Sequence, residues 1–187
     1  MGSVSIRDRG IAPHRARTAV VAVGGGIAVV GLAGAVDAAF GYGNFMFAWV
    51  LHFLLMGWMS AVVDTVQPRL RGSWFRVRDW EPVVHRRLGA WWYMRLLRLV
   101  GWERLTGRNS AFTGTRGSLA AFDRQTRLSE FAHFVIAVLV TAISVAAAAF
   151  GAWDAAAWMF SLNFVLHVYP VLLQRALRAR IQRLVLN

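Results

Sequence analysis

Apolar residues run along the chain in four long blocks, at 18–40, 44–63, 130–153 and 155–173, separated by two short turns and one long polar interval. Each block approaches the roughly 20 residues that cross a ~30 Å hydrocarbon layer. A backbone in that layer must satisfy its own hydrogen bonds, so each block predicts a transmembrane helix. The interval 64–129 is polar, yet within it residues 84–105 read VHRRLGAWWYMRLLRLVGWERL. There Leu88, Trp92, Leu96 and Leu99 share one helical face and Arg87, Arg95 and Arg98 an adjacent one, which predicts a single amphipathic helix lying in the membrane interface. The expected fold is all-α: one integral membrane domain over residues 1–187, polytopic, with four transmembrane helices and a cytoplasmic interfacial amphipathic helix.

Charge fixes the expected orientation. All 21 basic residues are arginine, and they occupy the N-terminal arm, the stretch from Arg69 to Arg127 and the tail from Arg175 to Arg183, whereas the turns GYG and GAWD carry none. The positive-inside rule then places both termini and the middle segment in the cytoplasm and the two turns outside. The apolar core of the first block exceeds the about 7–15 residues of a cleaved signal peptide, so it is expected to persist as a membrane helix. A net charge of +12 raises nucleic acid as a partner, but the arginines flank membrane segments and no nucleic-acid motif accompanies them. Membrane lipids are the expected partner, through their anionic headgroups. The absence of cysteine excludes disulfides, thiolate catalysis and cysteine-based zinc sites. Small residues crowd the first helix, from Gly24 to Ala35, and permit close helix approach.

Candidate chemistry sits at the edges of the third and fourth blocks. Thr126, Glu130 and His133 are spaced i, i+4 and i+7, so a helix starting near an Asp123 N-cap stacks them on one side. On the fourth helix Asn163, His167, Gln174 and Arg178 form a second stripe that descends to the cytoplasmic surface, and Pro170 is expected to kink the helix beside His167. Ionisable groups inside a membrane are costly unless paired or functional. His52, flanked by Leu51 and Phe53, is expected to hydrogen-bond helix to helix, and Asp154 to cap the outer end of the fourth helix.

These residues carry a resemblance. Trp80-Glu81, the run from Tyr93 to Leu105, the stretch from Gln125 to His133 and the tail from His167 to Arg180 resemble the bacterial membrane family of glycosyl-4,4'-diaponeurosporenoate acyltransferases. That family shows Trp-Glu, a leucine- and tryptophan-rich middle, Glu-Thr-x-Arg-x-Glu-Leu-x-His, and Asn-x-x-Pro followed by Gln-Arg-Tyr-Asn-Arg-x-Arg. Here Thr126, Glu130, His133, Gln174, Arg175, Arg178 and Arg180 match, while Gln125, Leu128, Phe131, His167, Ala176 and Leu177 depart. The resemblance implies transfer of a fatty acyl group to a hydroxyl of a glycosylated membrane lipid, and the departures imply a changed substrate.

Acyl transfer needs a base for the hydroxyl and donors for the developing oxyanion. His133 is the expected base, oriented by Glu130, with His167 beside them. Arg175, Arg178 and Arg180 are expected to bind an acyl donor arriving from the cytoplasm, acyl-CoA or another carrier, and Gln174 or Asn163 to donate to the oxyanion. Thr126, Trp80 and Glu81 complete the expected substrate-binding set. No separate cofactor is implied. No histidine has an acid five residues on, and no GxSxG nucleophile is present. Two other readings stay open: a metal enzyme using Glu130, His133 and His167, and a non-catalytic lipid-binding or assembly subunit.

Overall fold

The computed structural model describes residues 15–101 and 115–186, and among these it contains helices, turns and no strand. Four helices are long and apolar enough to cross a membrane. They are α1 (Arg15–Phe40), α2 (Phe45–Val66), α5 (Arg116–Ala149) and α6, which runs from Trp153 to Leu186. Between α2 and α5 lie a 3₁₀ turn (Ser73–Phe75) and two short helices, α3 (Glu81–Arg87) and α4 (Ala90–Leu99). The chain divides into two compact units.

The first unit comprises residues 1–68 and 139–162. α1 is not α-helical throughout: Val20–Gly24 is a π turn, and the carbonyls of Val21 and Ala22 both accept from the Trp58 indole N–H of α2, at 3.3 and 3.0 Å. The contact requires glycine at position 25, because a Cβ there would stand 2.5 Å from the Trp58 ring. α1 ends at Gly41, whose φ of 79° is left-handed, and Asn44 caps α2 by accepting the Met46 N–H at 2.8 Å. α2 buries Ala48, Leu51, His52, Leu55, Met59 and Val63, one continuous helical stripe. His52 sits 3.1 Å from the Met159 carbonyl of α6, the helix-to-helix bond expected of it. Val20, Ile27 and Val30 of α1 are exposed in the chain alone, as lipid-facing side chains must be.

The second unit comprises residues 69–138 and 163–187, and here the structure revises several sequence boundaries. α5 begins at Arg116, upstream of the start expected near Asp123, because Leu119, Ala120 and Ala121 are helix formers that extend it. Asp123 is therefore inside the helix, bonded to Arg127 at 2.8 Å, and is no N-cap. At 34 residues, α5 spans about 50 Å, well beyond the hydrocarbon, so its polar first turns project from it. The single helix expected over 84–105 is two: Gly89 adopts φ 79° and ends one helix and begins the next, and residues 102–105 lie outside the described residues. The apolar face survives the break, with Trp92 71% and Leu99 85% exposed. Asp154 lies in the first turn of a helix starting at Trp153, where its charge meets the positive end of the dipole, and it is not the cap. In α6 a π turn, Phe164–Val168, ends two residues before Pro170, and the Tyr169 N–H bonds back to the Phe164 carbonyl. The proline, which has no N–H to give, is accommodated by this change of helical register beside His167.

Candidate active site

Within the second unit α5 and α6 bring their polar stripes together. Glu130, on α5, is fully buried. One of its oxygens accepts from Arg175 Nη1 at 2.7 Å and the other from Arg178 Nη1. Both arginines come from α6, three residues apart, so one helical turn clamps one carboxylate. Arg175 also forks onto Glu81 of α3, with Nε to Oε2 at 2.7 Å and Nη2 to Oε1 at 3.0 Å. Arg178, itself fully buried, donates further to Thr126 Oγ1 at 3.3 Å and to the Phe75 carbonyl at 3.2 Å. Two carboxylates and two guanidiniums thus neutralise each other across three helices, which is the condition for burying charge at all.

The histidines form a separate pair. His133 Nδ1 lies 3.2 Å from His167 Nδ1, with the rings tilted 43° to each other. His167 is fully buried and His133 half-buried, so His133 is the more accessible ring. Asn163, one turn before His167, donates to the Ala137 carbonyl at 3.0 Å. Gln174 is buried on the same helix.

The expected residues therefore assemble, but in different partnerships. Glu130 faces the guanidiniums of Arg175 and Arg178. Arg175 and Arg178 are committed to carboxylates and backbone carbonyls, and of the three expected donor-binding arginines only Arg180 is exposed, its guanidinium 4.1 Å over the Trp91 ring. Glu81 is buried and Trp80 is exposed at its side. The expected metal ligand set is divided, since Glu130 belongs to the arginines and the two imidazoles to each other. Among the described residues no three His, Asp or Glu side chains are grouped to hold a metal ion.

One functional candidate escaped the sequence reading. His85 is buried on α3, its Nε2 3.8 Å from Glu81 Oε2, and its Nδ1 has no hydrogen-bond partner among the described residues. The Glu81-x-x-x-His85 spacing was the available signal.

Burial holds the His85 imidazole below its ordinary 6.5, with Glu81 partly opposing. Burial pushes Glu81 up, but hydrogen bonds from Arg175 and the Arg78 N–H outweigh it and hold this carboxyl below its ordinary 4.5. Above about pH 6.5 neither group opposes folding. As pH falls below 6.5 the unfolded chain takes up the His85 proton first, and stability declines; below 4.5 the contribution of Glu81 is lost as pH falls through its folded value. Thermal unfolding in detergent should therefore show a falling Tm from about pH 7 to pH 5, and His85→Gln should flatten that decline. An unchanged slope in His85→Gln would remove His85 from the account.

A family model described as glycosyl-4,4'-diaponeurosporenoate acyltransferase matches residues 71–187. No curated protein and no solved structure matches the chain.

Proposed function

Because the chain belongs to the glycosyl-4,4'-diaponeurosporenoate acyltransferase family, we propose that it transfers a fatty acyl group from a carrier to a hydroxyl of a glycosylated or otherwise hydroxylated membrane lipid. The observation that carries this reading is the contact between His133 Nδ1 and His167 Nδ1. Two neutral imidazoles meeting through Nδ1 must be opposite tautomers. The ring that donates through Nδ1 has its lone pair on Nε2, and the ring that accepts carries its proton on Nε2. The pair therefore offers a base and a donor side by side, the two functions acyl transfer requires.

With His133 as the more accessible ring, its Nε2 takes the proton of the acceptor hydroxyl as that oxygen attacks the thioester carbonyl. Negative charge gathers on the carbonyl oxygen, where an N–H donor stabilises it. Collapse of the tetrahedral intermediate breaks the carbon–sulfur bond, and the departing thiolate recovers the proton from His133. Glu81 and Glu130 with Arg175 and Arg178 act as the rigid, charge-neutral frame that sets the distance between α5 and α6. The arginine-bearing segments and both termini face the cytoplasm, the side from which the carrier arrives.

The lipid extract of a strain lacking the protein tests the function. It should accumulate a hydroxylated lipid precursor lighter by one fatty acyl group than the species it replaces. An unchanged lipid profile would contradict acyl transfer.

A further inference from the structure

The second unit carries an open cavity of about 1280 Å³ that the chemistry above does not use. This exceeds the ~300–1,000 Å³ typical of small-molecule sites. Its wall is built from the segments on both sides of the 3₁₀ turn, from α3, from Trp91, from the first turns of α5 and from the last turns of α6. Arg71, Arg76, Arg78, Arg86, Arg180 and Arg183 line it, all exposed, and none is ion-paired among the described residues. A seventh lining arginine, Arg127, is neutralised by Asp123, and among the described residues the only other acid on the wall is Asp79.

Six like charges converging on one concavity repel each other, and an open pocket concentrates their field on whatever anion enters. An ordinary solvated basic face spreads its arginines outward, as Arg87, Arg95 and Arg98 do away from this wall. A lipid phosphodiester brings a single negative charge and leaves most of these cations unmatched. A ligand with several phosphates matches them, and guanidinium forks suit phosphate oxygens. The wall also presents an aromatic surface, the Trp91 indole with the Arg180 guanidinium stacked at 4.1 Å. Nucleobases stack on both kinds of plane. Arg127 on its wall lies six residues before His133 on α5, about 9 Å along the helix axis. A flexible pantetheine arm spans such a gap.

We propose that this cavity binds the adenine, ribose phosphate and diphosphate of coenzyme A, and so receives the acyl donor as its coenzyme A thioester, an assignment that rests on the acyl-transfer reading. The test is calorimetric titration of coenzyme A, without an acyl group, into the full chain in zwitterionic nanodiscs. Saturable binding is expected, weakened about tenfold by Arg71→Ala and again by Arg180→Ala, as expected for loss of one phosphate contact each. His133→Ala and Arg95→Ala, neither on the wall, should bind normally. Arg76→Gln and Arg86→Gln repeat the measurement if either alanine variant lowers the Tm. No saturable binding, or an equal loss in Arg95→Ala, would overturn the assignment. Binding that disappears in nanodiscs containing phosphatidylglycerol, with the anionic lipid retained by the wild type and released by Arg71→Ala, would overturn it in favour of a lipid headgroup. Saturable coenzyme A binding by a protein that transfers no acyl group would support the site and defeat the function proposed above.

Discussion

Arg178→Ala is expected to destabilise the protein by about 3–5 kcal/mol, the usual cost of stripping one partner from a buried ion pair. The guanidinium is fully buried and holds one oxygen of Glu130, the Thr126 hydroxyl and the Phe75 carbonyl at once. Removing it leaves a carboxylate in the interior with only Arg175 to balance it, and Arg175 is shared with Glu81. Water that entered the vacated space would offset part of the cost, so the lower end of the range applies if the site opens. Membrane abundance and the unfolding midpoint in detergent measure it. Glu130→Gln should fall in the same direction, because an amide gives each arginine a neutral acceptor in place of a charged one. The double variant should cost less than the two single changes added together, since the second removes a charge the first left stranded. Additive losses, or a fall below about 1 kcal/mol for Arg178→Ala, would show that the network is solvated rather than buried.

This result would reassign Glu130. Spacing along a helix specifies which face a residue occupies, and Thr126, Glu130 and His133 do occupy one face. It does not specify the partner across the gap, so the two guanidiniums of α6 that hold Glu130 could not be read from it. The four membrane helices were legible because a continuous apolar block of bilayer length is stable in few places besides hydrocarbon. The turns of α5 before Asp123 were not, because they precede both the apolar block and the residue that looked like its cap. The break at Gly89 was hidden for the opposite reason: the amphipathic pattern continues through it, and one left-handed residue leaves no trace in hydrophobic periodicity. Pro170 announced a disturbance in α6 but not its form, a π turn on its N-terminal side. His85 was overlooked because the segment around it reads as surface, while in the fold it is buried behind Glu81.

His133→Ala is expected to lower acyl transfer by about 10²–10⁴-fold, the usual contribution of a general base. The imidazole is half-buried, so its removal should leave membrane abundance close to that of the wild type, in contrast to Arg178→Ala. His167→Ala, which deletes the fully buried partner ring, should reduce both activity and abundance. His133→Gln separates a polar contact from proton transfer, since the amide can hydrogen-bond but cannot accept the hydroxyl proton; it should be as inactive as the alanine variant. The decisive measurement is product formed per unit of membrane-inserted protein for the wild type and His133→Ala, assayed with a fatty acyl thioester and the hydroxylated lipid that accumulates in the deletion strain. Near-complete loss of product from a normally abundant His133→Ala protein is the predicted result, and wild-type turnover by that protein would contradict the account.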